Sequence, residues 1–300
     1  MSKKQENIGV IFALASAAMW GMFPVLVNQG TQSIPPITFA AITTLFAAGG
    51  SFIYAATEGE LHELKNKKAY VPLIMVTFLI VIIPYILFFI GSSKTSGMNS
   101  SLLLLSEIIF MLLFTPFIGE KNTAKKLLGS LGIFAGALLI LYNGKFDLNT
   151  GDLLIIASAV TYPVGNFYAK KALNSFSPAI VLFARFLLGG LFILAVALIV
   201  EPQANISDIV STHWRLILFT GLILLGLSKI LWYEGLKRLD ISKAISLSAT
   251  FPLFSLIILI GFFKETPSSF QWIGIIIMAI GVYFSIKRAS VDSASTKYAD

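Results

Sequence analysis

Three ionisable residues stand inside long apolar stretches of this 300-residue chain: Glu107, Arg185 and Lys229. A charge at mid-membrane depth costs on the order of 2.5–3.5 kcal/mol even on lenient insertion scales, so such a residue should face a partner or a wet cavity. The neighbours of Glu107 at helical spacing, Leu103, Leu104, Phe110 and Met111, are apolar and offer it nothing. A carboxyl there is a proton carrier or a site for a substrate cation, or else the structural mate of a basic residue. The planar fork of Arg185 suits a carboxylate or phosphate, or it tethers helices through backbone carbonyls. Lys229 shares a helical face with Gly226, Trp232 and Tyr233. It either serves the same site or snorkels to the nearby interface. Trp20, Tyr85 (directly after Pro84) and Tyr162, with Asn166 one turn beyond Tyr162, either line a cavity beside these charges or serve as packing and interface belts. The candidate substrate- and proton-binding set is therefore Glu107, Lys229, Arg185, Trp20, Tyr85, Tyr162 and Asn166.

Enzyme chemistry finds little support. The two histidines, His62 and His213, fall in loops on opposite sides, so no intramembrane metal cluster is expected. H-E-x-x-H, G-x-S-x-G and a P-loop are absent. The reading is of a non-enzyme without metal or cofactor. A channel remains an alternative, although no charged ring or filter loop repeats along the chain.

The elements that must position these residues follow from composition. Apolar residues make up 56% of the chain and charged residues 12%, with a mean hydropathy of +0.85. Soluble domains run near 45–50% apolar and about 25% charged. The apolar excess falls in ten runs: 8–27, 36–56, 70–91, 99–118, 127–143, 152–169, 178–200, 214–234, 243–263 and 270–287. Roughly 20 apolar residues in a helix cross a bilayer. The runs do not alternate as barrel strands would, so the expected fold is an all-α polytopic membrane protein of ten transmembrane helices. Lys3 and Lys4 with Ala15-Ser16-Ala17 imitate a signal peptide, but the apolar stretch before that triplet is too short. The triplet recurs at Ala157-Ser158-Ala159, which reads as helix packing.

The net charge of +7 is a topology signal and not a nucleic-acid footprint. Of the 22 Lys and Arg, Arg185 and Lys229 lie deep within runs, and four (Lys94, Lys145, Arg215, Lys264) fall in loops or at the end of a run on one side. The other sixteen, in loops, tails or at the ends of runs, fall on the side of both termini. The positive-inside rule then makes both termini cytoplasmic in a multi-pass protein of the cell membrane. Asn205-Ile206-Ser207, on the other side, is weak as a glycosylation signal.

The chain reads as written twice. A shift of 142 residues lays Gly9 on Gly151, Ala15-Ser16-Ala17 on Ala157-Ser158-Ala159 and Pro36 on Pro178. A shift of 145 lays Ser101-Leu102 on Ser246-Leu247, Glu120 on Glu265, Gly129 on Gly274 and Gly136 on Gly281. Each half has an odd number of helices, five, so the second enters the membrane inverted. Inverted repeats are an architecture of secondary transporters. The expected organisation is a first repeat over 1–145, a second over 146–288 and a cytoplasmic tail over 289–300. Gly132 and Gly136, with Phe134 between, form a small-residue face suited to packing within the molecule.

The duplicated set resembles the EamA-type branch of the drug/metabolite transporter superfamily over about 8–288. It is carried by Ala18-Met19-Trp20-Gly21, Pro178…Arg185, and the endings Phe117-Ile118-Gly119-Glu120 and Phe262-Phe263-Lys264-Glu265, each followed by a glycine-spaced helix. The resemblance implies a cavity between the halves, lined by the first four helices of each, with the fifth and tenth outside. Two positions depart from the family habit: Thr43 stands opposite Arg185, and Glu107 stands opposite Pro252. The implied function is secondary transport of small organic solutes, such as an amino acid or related metabolite, driven by protons or a solute gradient through alternating access. The alternative is a uniporter or exporter of cationic or lipophilic compounds. The expected partners are that solute and the lipid bilayer, without nucleic acid, in a monomer or homodimer.

Overall fold

The computed structural model describes residues 3–66, 70–114, 117, 124–142, 148–239, 247–248, 250–264 and 266–286. Glu120 and Glu265, which close the two expected endings, and the tail over 289–300 lie outside the described residues. Among those described there are helices and no strand. They are α1 (Lys3–Gly30), α2 (Pro36–Thr57), α3 (Tyr70–Ser92), α4 (Gly97–Leu103), α5 (Ser106–Phe114), α6 (Ala124–Tyr142), α7 (Thr150–Val160), α8 (Tyr162–Ala172), α9 (Pro178–Val200), α10 (Ile206–Leu236), α11 (Phe251–Gly261) and α12 (Ser269–Ile286). Five of them, α1, α2, α3, α9 and α10, are long and apolar enough to cross a membrane. Their starts are set locally. Pro36 and Pro178 stand at first-turn positions, where the missing N–H costs nothing. Ser177 caps Ile180, and Asn149 forms a capping box with Asp152.

Among the described residues, breaks interrupt the fourth and the sixth of the expected runs. The fourth breaks at Leu104–Leu105 between α4 and α5, where Leu105 N–H donates to Leu102 O at 3.1 Å and Glu107 N–H to Leu104 O at 3.1 Å. The sixth breaks at Thr161, just before Pro163, whose ring nitrogen cannot donate. α10 starts at Ile206 instead of 214 and kinks at His213, while a short 3-10 turn, Glu60–Lys65, follows α2. Both α3 and α10 contain a π-helical stretch, Thr77–Ile82 and Phe219–Leu227. Such stretches turn the following residues relative to the start of the helix and recur at functional sites.

Contacts between helix ends sort into two faces. On the near face, where α1 begins, Glu63 accepts from Ser177 N–H at the start of α9 at 2.6 Å. Tyr70 at the start of α3 stacks on Phe176, with centroids 6.3 Å apart. On the far face, Glu201 after α9 accepts from Ile37 N–H (3.0 Å) and Thr38 N–H (2.7 Å) at the start of α2. Asn28 in the last turn of α1 donates to Ser92 O at 2.6 Å. Asp152, fully buried at the start of α7, accepts from Thr95 and Asn99.

Close helix crossings depend on glycine. A Cβ on Gly235 would lie 3.2 Å from Gly9 O and from Ala13 N, where the end of α10 crosses the start of α1. A Cβ on Gly91 would lie 2.8 Å from Gly151 O and 3.1 Å from Ile155 N, where the end of α3 crosses the start of α7. The expected glycine face of α6 packs on α12 within the molecule. A Cβ on Gly136 would lie 2.5 Å from Gly274 O, and one on Gly281 2.5 Å from Gly129 O.

Candidate functional site

The three buried charges arrive from three helices. Glu107 stands in the first turn of α5, immediately after the break at Leu104–Leu105. Arg185 lies two turns into α9, and Lys229 follows the π stretch of α10. Leu104 and Leu105 at the break line the same cavity as Glu107. The π stretch sets the direction of Lys229 and the two rings after it.

All seven residues expected from the sequence line one cavity of about 110 Å³. Asn166 Nδ2 donates to Glu107 Oε1 at 3.3 Å. Lys229 Nζ lies 3.2 Å from the centroid of the Trp20 ring, so it turns inward and does not snorkel. Arg185 is 2% exposed and donates from Nη1 to the Tyr233 hydroxyl at 3.1 Å. Its guanidinium carbon also lies 4.7 Å from the Phe186 ring centroid, and its Nε has no hydrogen-bond partner. Among the described residues no backbone carbonyl is recorded as accepting from it, whereas one expectation from sequence was a tether through carbonyls. Tyr85 and Tyr162 complete the aromatic part of the set.

Glu107, Lys229 and Arg185 thus share one cavity without an ion pair among them: the ion pair found among the described residues is Glu234 with Arg238. Each charge instead meets a neutral partner: an amide, an indole face or a phenol. Such partners orient a charge without neutralising it, so its attraction for a ligand in a low-dielectric site is retained.

The cavity runs from Trp20 and Tyr85 towards the near face, where Met111, Asn166, Trp232 and Ser248 line it. Towards the far face it is closed by rings. Trp20 stacks on Phe23 at 4.5 Å, Phe23 on Phe88 at 5.7 Å, and Phe39 meets Phe89 edge-on at 5.5 Å. Those four phenylalanines are at most 1% exposed.

Sequence reasoning had placed Trp232 and Tyr233 beside Lys229 but gave neither a part in the site. It missed Ser16, Ser248 and Phe251 in the lining. Ser16 lies in the Ala-Ser-Ala triplet, read only as packing; its Oγ donates to Ser228 O at 2.8 Å, next to Lys229.

The EamA-like transporter family model matches residues 7–142 and 149–287. The chain belongs to the EamA-like transporter family. Among its relatives, an uncharacterized transporter of Methanothermobacter thermautotrophicus is 25% identical, over 92% of this chain and 85% of that one. The uncharacterized transporter YyaM of Bacillus subtilis is 25% identical over 70% of this chain and 71% of its own. A probable amino-acid metabolite efflux pump of Escherichia coli is 23% identical over 92% of this chain and 94% of the pump. A solved crystal structure superposes with a TM-score of 0.72 at 16% identity, covering 92% of this chain and 96% of that one, which shows the shared fold. This EamA-like chain is a membrane transporter.

Proposed function

We propose that the protein is a secondary carrier for small solutes bearing both an anionic and a cationic group, such as an amino acid or a derivative. The observation that carries this reading is the cavity in which Glu107, Arg185 and Lys229 converge without pairing with one another. The buried, partly unsatisfied guanidinium of Arg185 suits a carboxylate. The aromatic faces and Glu107 suit an ammonium. Relatives named as probable amino-acid metabolite efflux pumps point to the same class of solute.

Alternating access follows from ten spans in two inverted halves, with both termini cytoplasmic in the cell membrane. Several reciprocal features support the inversion. Gly136 approaches Gly274 as Gly281 approaches Gly129. Gly235 meets Gly9 as Gly91 meets Gly151. Glu201 caps α2 on one face while Glu63 accepts from the start of α9 on the other. The break at Leu104–Leu105 has its mate at Thr250, whose N–H donates to Leu247 O at 3.2 Å as Leu105 N–H does to Leu102 O at 3.1 Å. In this frame the closed far face makes the present conformation inward-facing.

A carboxyl at the cavity wall, Glu107, supplies a proton site for coupling. The six aromatic side chains of the lining, Trp20, Tyr85, Tyr162, Trp232, Tyr233 and Phe251, favour a second reading, export of cationic or lipophilic compounds. Flux into proteoliposomes decides between them, with a panel of amino acids, simple amines and neutral lipophiles and an imposed proton gradient. Gradient-driven flux of the zwitterions is expected. Movement of lipophiles or amines alone would overturn the proposal.

A further inference from the structure

Trp20 has two ring faces, and both are taken. One stacks on Phe23 with the planes 10° apart. The other carries Lys229 Nζ at 3.2 Å from the centroid, which is contact distance and leaves no room for a second group. Among the described residues no carboxylate pairs with that ammonium. The indole is the strongest cation acceptor among the side-chain rings, and a desolvated contact of this kind is a substantial attraction. It lies on the wall of the transport cavity, with Glu107 and Arg185 on other walls.

We infer that this face of Trp20 is the cation subsite of the carrier and that Lys229 is a tethered placeholder on it, which an incoming organic ammonium must displace. The inference rests on the transport reading above and deepens it. It gives Lys229 the role of setting specificity. An amine without an acid group exchanges one cation–π contact for another and gains nothing at the ring. It also adds a third cation to a cavity that holds Arg185 and Lys229 against a single carboxylate, Glu107. A ligand that brings its own carboxylate offsets the charge it adds and gives the displaced lysine a partner. Removing the lysine removes both penalties for a simple amine.

The test uses tetramethylammonium, a cation with no acid group, and the purified full-length chain in detergent. Binding is read by tryptophan fluorescence and by thermal shift. Wild type should bind it at least roughly thirtyfold more weakly than Lys229→Ala or Lys229→Gln, the factor that a desolvated cation–π contact supplies. Lys229→Arg should stay blocked, because a guanidinium also covers the ring. Adding Trp20→Leu to Lys229→Ala should abolish the binding gained. The glutamine variant serves should the alanine variant fail to fold. Trp20-dependent binding to wild type as tight as to the variants overturns the inference. So does an absence of binding to every folded variant, or binding to Lys229→Ala that survives Trp20→Leu. Zwitterion flux is a separate measurement. Its failure would sink the transport reading, while a Lys229-dependent tetramethylammonium response would leave the subsite standing.

Discussion

Neutralising Glu107 separates a carboxyl that carries protons from one that holds the helices together. In Glu107→Gln the side chain keeps an oxygen where Oε1 now accepts from Asn166 Nδ2 at 3.3 Å. That bond is long, and a neutral hydrogen bond contributes only about 0.5–1.5 kcal/mol. No ion pair is lost, because neither Lys229 nor Arg185 pairs with the carboxylate. The expected loss of stability is therefore below about 1 kcal/mol, which is less than about 4 °C in melting temperature by the scaling for large domains. A structural ion pair broken from one side would instead cost about 3–5 kcal/mol, or roughly 6–20 °C on the same scale. Melting curves and proteoliposome flux, measured side by side, read both quantities. The expected outcome is a nearly unchanged melt, loss of proton-driven accumulation, and survival of solute exchange at equal concentrations. A large drop in melting temperature that Lys229→Gln partly restores would refute the reasoning, as would proton-coupled flux at the wild-type level.

Three further outcomes follow from the packing. Gly136→Ala and Gly281→Ala each place a methyl 2.5 Å from a carbonyl oxygen of the facing helix and should cost about 1–3 kcal/mol in thermal melts. Gly49→Ala, with nothing within 4 Å, should be neutral or stabilising by up to about 1 kcal/mol, so equal effects at all three positions would contradict the crossing geometry. Asp152→Ala should destabilise by at least about 1–3 kcal/mol, because Thr95, Asn99 and Asn149 N–H lose a buried acceptor; an unchanged melt would show that water replaces it. The chain has no native cysteine, so labelling with a membrane-impermeant maleimide is clean. Met111→Cys and Ser248→Cys should react from the same side as His62→Cys, and Phe88→Cys from neither side; reaction of Phe88→Cys would mean that the far face is open.

Seven of the residues that line the cavity could be read as candidates in the sequence, the charged ones because a membrane makes buried polarity expensive. Glu107, Arg185 and Lys229 announce themselves by depth alone. Trp20 and Tyr162 were visible as equivalents under the 142-residue shift. Gly91 and Gly235, each at its own helix crossing, were not seen as equivalents, although a shift of 144, between the two shifts that were read, aligns them. The interrupted helices were missed for different reasons. Pro163 marks the sixth run, but nothing local marks Leu104–Leu105, and only comparison with the mate position of Pro252 hints at it.

Hydropathy, cation placement and repeat spacing act along the chain, so the sequence by itself determined the helical membrane class, the apolar runs and the costly residues within them. It could not say which charges pair, because pairing depends on distances between helices and on a turn of a few tens of degrees about each axis. A broken turn before Glu107 and a π stretch before Lys229 supply those rotations. Tertiary packing therefore decided that Glu107 meets Asn166, Arg185 meets Tyr233 and Lys229 meets Trp20, leaving three ionisable side chains in one cavity without an ion pair among them. It also decided which end is shut. Phe23, Phe39, Phe88 and Phe89 are ordinary apolar residues in sequence, and they become a seal only where α1, α2 and α3 bring their rings together on the far face.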